Sequence, residues 1–207
     1  MEQLETKGKG GTWAHAANED FFFYWMPDEM SQSDKDTLKS AAIDALKQFP
    51  AIKKSVVDQT GVQSLNGAYL LSKEEMVKSM NNLDGMSEAV ANANNQSGKK
   101  IATEINQEFF EVVLADLSGD VAAMMEYLNK SMGKVQAVVK NNSSSKTFGT
   151  VICTIGLLPG LGLPITTFKY VFSNSESNDW FSKILCFTSE VYTYSYESTI
   201  LDFVYEK

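Results

Sequence analysis

The chain has 207 residues, 43% of them apolar, and a formal net charge of −8 from 18 basic and 26 acidic side chains. Every basic residue is a lysine, and the sequence has no arginine. Because phosphate backbones are bound by clustered positive charge and arginine is the usual contact to phosphate and guanine, we expect no nucleic-acid partner. The length suffices for one domain with its own core, or for two small ones.

The first eighteen residues are polar and contain several glycines and lysines. We predict that residues 1–18 form a flexible leader, because such a segment has little apolar surface to bury. They lack the apolar stretch of a secretory signal peptide, which indicates synthesis in the cytosol. Release from the cell would then follow a route that needs no such signal.

Five consecutive aromatic residues, Phe21 to Trp25, follow this segment. Aromatic side chains favour β-strands, and Pro27 is suited to ending one. The pattern predicts a strand over residues 19–26 that is buried on both faces. An exposed aromatic anchor is the alternative.

Residues 33–140 place apolar side chains at helical spacing and are predicted to be mainly helical. Two capping pairs support this assignment: Ser33 with Asp36, and Ser72 with Glu75. In each pair a hydroxyl and a carboxylate are placed to satisfy free backbone N–H groups in the first turn of a helix.

The strongest periodic pattern is an apolar stripe between residues 99 and 140, after an Asn-rich stretch at 92–96 that we expect to end the preceding helix. The stripe is either one long helix or two helices separated at Gly119. Acidic residues at helical spacing, such as Asp116 and Asp120, are interpreted as a solvated helix face. The stripe consists of Phe110, Leu114, Leu117, Val121, Met124, Leu128, Met132, Val135 and Val139.

Residues 148–168 carry no charge in a chain that is otherwise acidic. The segment has the length of a transmembrane helix, but each of its two prolines removes a helix hydrogen-bond donor. The Leu-Pro-Gly-Leu-Gly sequence at 158–162 favours a turn. We therefore predict a β-hairpin with arms near 149–158 and 163–172.

This hairpin has two interpretations, which the sequence leaves open. It is either an ordinary pair of core strands or an element kept ready to enter a membrane. Apolar burial is equally favourable in both places, but a lone hairpin in hydrocarbon leaves backbone groups unpaired, so insertion requires closure by other copies. The candidate membrane-contact residues are Val151, Ile155, Leu157, Leu158, Leu161, Leu163 and Ile165.

The C-terminal part has a strand-like pattern, with Tyr192, Tyr194 and Tyr196 at alternate positions. We predict one α+β domain over residues 19–207. Its helical middle region packs on a mostly antiparallel sheet, which is formed by the N-terminal strand and by strands within the β-rich region 148–205.

An amphipathic stripe beside an uncharged hairpin resembles the arrangement in α-helical pore-forming toxins of the cytolysin A type. The matching elements are the stripe between 99 and 140 and the segment 148–168; no sequence motif is matched. In that family a second long helix follows the tongue, whereas the C-terminal part of this chain is predicted to form aromatic strands. The resemblance implies a soluble form in which the hairpin packs on the helices, and a membrane-bound form in which it is released.

Residues with catalytic or ligand chemistry are few. His15, the sole histidine, is predicted to be solvated, and no catalytic motif is present, so we expect neither enzymatic activity nor a cofactor. Cys153 and Cys186 are buried thiols or a disulfide, or Cys153 is acylated. One histidine and two cysteines are too few for a structural zinc site, so no metal site is predicted.

Two functions follow as hypotheses. The first is a membrane-active toxin or virulence-factor-like protein whose partner is a lipid membrane, on which it forms a homo-oligomer. It would release the 148–168 hairpin on lipid, with Trp25, Trp180 and Tyr192 at the interface. The alternative is a non-enzymatic protein-binding module of the immunity or scaffold type, which would use the Tyr-rich strand at 190–205.

Overall fold

The computed structural model of the chain describes residues 3–64, 67–141, 149–173 and 191–206. In these residues one eight-stranded sheet lies between two layers of helices, which confirms the α+β class predicted from the sequence. The strands are β1 (Gln3–Gly8), β2 (Gly11–Ala16), β3 (Phe22–Pro27), β4 (Ala68–Tyr69), β5 (Val90–Ile101), β6 (Gly149–Leu157), β7 (Pro164–Ser173) and β8 (Val191–Tyr205). The helices are α1 (Gln32–Leu46), α2 (Gln48–Thr60), α3 (Lys73–Asn81), α4 (Ala102–Val113) and α5 (Met125–Asn141).

The sheet has the strand order β1-β2-β3-β6-β7-β8-β5, and the short β4 pairs with the start of β6. Neighbouring strands are antiparallel except for β3 and β6, which run parallel. Strands β6 and β7 are the two arms of the uncharged hairpin, and they occupy the middle of the sheet.

Each face of the sheet has its own core. Val151, Cys153 and Ile155 of β6 point to the face covered by α1, α2 and α3. Ile152 points to the opposite face, which α4 and α5 cover. Successive strand residues point to opposite faces, so a central strand covered on both sides needs apolar residues throughout. This explains the uncharged run in β6.

The prediction of a flexible leader over residues 1–18 is wrong, because residues 3–8 and 11–16 form strands β1 and β2. Trp13 of β2 is fully buried, and its indole Nε1 donates to the carbonyl of Asp120 at 2.7 Å. Gly10 at the turn between the strands has φ +81°, a conformation that favours glycine. The glycines and lysines that suggested a loose segment belong to this turn and to the exposed edge.

The helical middle region also differs from the prediction in detail. The capping box of Ser72 and Glu75 opens α3 as predicted, but the Asn-rich stretch that was expected to end a helix forms strand β5. The apolar stripe is split: two 3-10 turns, Ala115–Leu117 and Val121–Met124, separate α4 from α5. Between the two turns, a Cβ at Gly119 would lie 2.4 Å from the Trp13 ring, so the break makes room for that side chain.

Candidate functional site

The arms of the hairpin are part of the core. Val151 and Ile155, two of the predicted membrane-contact residues, are 2% and 0% exposed. Both belong to the cluster beneath α1, α2 and α3, and the partly buried Leu157 packs against it. The arms are therefore sealed on both faces by helices.

The turn between the arms is exposed and apolar. Leu161 is 68% exposed and Leu163 is 55% exposed, while Leu158 and Ile165 are half-buried. These four residues and the partly buried Leu157 are the part of the predicted contact set that reaches solvent. We call residues 158–164 the apolar turn.

Backbone hydrogen bonds give the apolar turn a defined shape. The N–H of Leu158 donates to the carbonyl of Leu163 at 2.8 Å, and the N–H of Gly162 donates to the carbonyl of Leu158 at 3.2 Å. Gly160 and Gly162 have φ +76° and +62°, which explains why glycine occupies both positions. The leucines are thus displayed on an ordered turn.

The apolar turn lies beside the N-terminus of α1. A Cβ built on Gly162 would be 3.5 Å from Oδ1 of Asp34 in the first turn of that helix. Ser31 caps this helix by accepting from the N–H of Asp34 at 3.1 Å. The immediate surroundings of the exposed leucines therefore include a carboxylate.

A polar clasp joins the hairpin to the helical layer on the α4–α5 face. Lys169 of β7 is buried, and its Nζ donates to Oδ1 of Asp116 at 2.8 Å and to the carbonyl of Val113 at 2.9 Å. The hydroxyl of Thr154 of β6 donates to the other carboxylate oxygen of Asp116 at 2.9 Å. One carboxylate thus holds both arms to the segment that follows α4.

The polar clasp continues to β8. Asp202 lies opposite Lys169 in the strand register, and Nδ2 of Asn92 donates to its Oδ2 at 3.1 Å. Burial raises the pKa of Asp202, whereas the nearby Lys169 ammonium acts in the opposite direction.

The sequence interpretation missed this clasp. Asp116 was assigned to a solvated helix face; its side chain is 42% exposed, but it lies in a 3-10 turn and also anchors the hairpin. Its neighbour Asp120 accepts from the backbone N–H of Lys9 at 2.7 Å, and so secures the β1–β2 turn. The signal available in the sequence was Lys169 itself, a single lysine within an apolar strand pattern, because a buried ammonium requires a partner.

Cys153 is fully buried on β6 and is a free thiol. Burial raises its pKa well above the ordinary value, so the thiol is protonated and shielded from reagents in this fold. Cys186 and Trp180 lie outside the described residues, as does the side chain of Tyr192. Trp25, proposed from sequence as an interfacial aromatic, is buried in the core on the α4–α5 face.

His15 is also buried, which corrects the prediction of a solvated residue. It is 4% exposed, its Nε2 lies 3.2 Å from Oγ1 of Thr6, and its ring packs on Tyr127 of α5 with centroids 4.3 Å apart. No hydrogen-bond partner is found for its Nδ1 among the described residues. Burial lowers the pKa of His15, so the ring is neutral at pH 7.

Two further classes of site are absent from the described ranges. There, no group of three or more His, Cys, Asp or Glu side chains is arranged to hold a metal ion. No helix in the same part of the chain is both long enough and apolar enough to cross a bilayer.

Comparison with known proteins rests on structure alone, because no family model and no curated protein matches the sequence. The fold is similar to that of the Evf virulence factor, with a TM-score of 0.51, 9% identity, and coverage of 89% of this chain and 69% of that one. A second similar structure is the activated Cyt2Ba monomer from Bacillus thuringiensis subsp. israelensis, with a TM-score of 0.37, 11% identity, and coverage of 80% and 92%.

The similarity to Evf defines a shared fold. The resemblance to the cytolysin A type is not confirmed: the stripe between 99 and 140 is divided into two helices, and the segment taken for a tongue contributes two central strands.

Proposed function

We propose that this protein is a membrane-active protein of the toxin or virulence-factor type, which contacts lipid first through the apolar turn. The observation that carries the proposal is the pair of exposed leucines, Leu161 and Leu163, at the end of strands that are otherwise sealed. The fold that the chain shares with the Evf virulence factor is consistent with this class.

The size of the apolar turn determines what kind of contact it makes. Complete burial of a leucine side chain contributes about 1.5–3 kcal/mol, so moving two partly exposed leucines into lipid gains roughly 2–4 kcal/mol. A single myristoyl chain gives only marginal, reversible membrane binding, and the apolar turn offers less. Contact through the turn of one molecule is therefore weak and reversible.

Release of the arms is a separate and more costly step. Besides Cys153, seven large apolar side chains of β6 and β7 are buried: Val151, Ile152, Ile155, Phe168, Tyr170, Val171 and Phe172. Exposing them costs roughly 10–20 kcal/mol at 1.5–3 kcal/mol each. This is comparable with the whole stability of a typical domain, about 5–15 kcal/mol. Contact by the apolar turn therefore comes first, and release of the arms requires the helical layers to open.

Charge determines which lipid surfaces are favourable. The protein has a net charge of −8, and the Asp34 carboxylate lies beside the apolar turn. Anionic headgroups repel such a surface, so we expect binding to zwitterionic phosphatidylcholine vesicles to exceed binding to phosphatidylserine-rich ones at low salt. Acidification neutralises carboxylates and should strengthen contact with both.

Vesicle flotation and dye leakage test the proposal. The test variant is the double substitution Leu161→Asp and Leu163→Asp, and the matched control is Ile43→Asp, because Ile43 is 49% exposed on the outer surface of α1. All three proteins are mixed with excess phosphatidylcholine vesicles at neutral and acidic pH. We expect the wild type and the Ile43→Asp control to float and to release dye, and the turn variant to do neither.

Two results would contradict the proposal. One is a wild-type protein that never floats at either pH; the other is a turn variant that keeps its fold, checked by circular dichroism, and still floats. Binding without leakage would support the contact step alone, and would count against release of the arms.

The alternative of a protein-binding module remains a prediction. Only Ser198 to Tyr205 of β8 pairs with β7, while Val191 to Glu197 of the Tyr-rich strand pairs with β5 alone among the described strands. One stoichiometric partner captured in a pull-down, together with inert vesicles, would favour this alternative.

A further inference from the structure

Strand β5 forms one edge of the sheet. Within the described residues it pairs with β8 over its whole length, from Val90 opposite Asp202 to Ile101 opposite Val191, and with no strand on its other side. This edge spans 12 residues, about twice the usual length of a strand. Alternate backbone N–H and C=O groups along it face outward.

The two edges of the sheet differ in how they are protected. Strand β1, at the opposite edge, has six residues and carries Glu5 and Lys7. Charged side chains and short length are devices that prevent one sheet edge from pairing with another. Residues 90–98 of β5 contain no charge and no proline, and they include three asparagines and a glutamine. This edge therefore has the composition of a pairing surface.

We propose that two copies of this chain associate through the outer edges of their β5 strands, which pair antiparallel and join the two sheets into one. A two-fold axis perpendicular to the sheet relates such copies, so each face of one sheet continues into the same face of the other. The midpoint of β5 falls between Asn95 and Gln96. The axis therefore passes through one of these two residues.

Charge favours a second copy as the occupant. Although each chain has a net charge of −8, the edge that meets its copy is uncharged over most of its length. With Asn95 on the axis, Lys100 of one copy lies opposite Val90 of the other, and diagonal to the exposed Glu88 that precedes it. Cross-strand neighbours at this diagonal spacing are within reach of long side chains. Lys100 is paired with Glu108 of α4 in its own chain, and Lys99 lies opposite Ala91 of the other copy, so no like charges meet across the axis.

The paired arrangement does not depend on the proposed lipid contact. Antiparallel pairing points the apolar turns of the two copies in opposite directions along the strands, so the dimer does not place both turns on one flat membrane. Failure of the vesicle experiment and failure of the dimer experiment are therefore distinguishable.

Engineered cysteines test the pairing. In a Cys186→Ser background, where the remaining Cys153 is buried, Asn95→Cys and Gln96→Cys are each oxidised mildly at high protein concentration. Residues that face each other across antiparallel strands have Cβ atoms within reach of a disulfide. We expect one of these two variants to form a covalent dimer in high yield. Ser40→Cys, on the exposed side of α1, is the matched control and should not form one.

Sedimentation velocity over a concentration series provides the second measurement. The wild type should form dimers, and Asn95→Lys should weaken dimerisation at least tenfold because it places like charges at the axis. Asn92→Lys serves as a second variant if the first is poorly folded. A wild type that stays monomeric at all concentrations would overturn the proposal. So would a dimer that neither cysteine captures and neither lysine weakens.

Discussion

The arms and the turn of the β6–β7 hairpin are both uncharged, yet the structure uses them in opposite ways. The arms lie in the middle of the sheet under two helical layers, with Val151 and Ile155 in the core. The turn displays Leu161 and Leu163 to solvent. The difference arises from Pro159 and two left-handed glycines, which end β6 and form the turn before β7 begins at Pro164. One uncharged segment therefore has two roles: its arms form the core of the sheet, and its turn is exposed to solvent.

The polar clasp lies within the arms, where Lys169 is opposite Ile152 in the strand register. Lys169 is tolerated in a central strand because Asp116 and the carbonyl of Val113 satisfy its ammonium. An unpaired ammonium at this place would be strongly unfavourable. The clasp thus secures the arms to the helical layer, whereas the turn has no comparable anchor within the described residues.

Truncation of side chains in the two regions should show the largest contrast. Ile155→Ala removes a fully buried side chain and should lower the free energy of unfolding by about 2–5 kcal/mol. Leu163→Ala, in the exposed turn, should change it by less than about 0.5 kcal/mol. Urea unfolding followed by tryptophan fluorescence measures both. Equal losses for the two variants would show that the turn is as firmly packed as the arms.

Breaking the polar clasp should lower the free energy of unfolding by an intermediate amount. Asp116→Ala leaves the Lys169 ammonium with one protein partner fewer, and it should cost about 1–3 kcal/mol because the carboxylate is only partly shielded from water. The exposed Asp84→Ala is the matched control and should change stability little. If release of the arms contributes to dye leakage, Asp116→Ala should also leak faster than wild type. Unchanged stability would show that the clasp does not hold the layers together.

Much of the fold could be predicted because periodicity and capping are local signals. The capping box at Ser72 and Glu75, the aromatic strand and the hairpin with its turn were all found in this way. Strand β5 was missed because asparagines favour turns in isolation, while here the long partner β8 supplies the pairing. Strands β1 and β2 were missed for a similar reason, since glycine and lysine are typical of loose termini.

The candidate site could be predicted only in part. The apolar composition of residues 148–168 identified the segment, but exposure of the leucines depends on which residues the helices cover. The clasp joins residues distant in the sequence, Asp116 and Lys169, and no local pattern specifies that contact. Burial of His15 follows from the packing of α5 on β2, which is likewise a tertiary effect.

The smallest expected effect is a decrease in the free energy of unfolding in acid, and it arises in the helical layer on the α4–α5 face of the sheet. Because burial lowers the pKa of His15 in the folded protein, the unfolded chain binds the proton more readily. The stability that neutral His15 provides is complete above its ordinary pKa of about 6.5 and is lost as the pH falls below that value. We therefore expect the free energy of unfolding of the wild type to decrease between about pH 7 and 5.5, above the range where most carboxylates titrate.

The variant His15→Gln should remove this pH dependence, because glutamine keeps a polar side chain of similar size but does not titrate. Chemical unfolding at several pH values compares the two proteins. The contribution of Asp202 runs in the opposite direction, since a raised carboxyl pKa favours the folded state as the pH falls. The same slope in both proteins would exclude His15 as the source. A slope confined to the wild type would show that protonation of His15, which packs on Tyr127 of α5, destabilises the fold in acid.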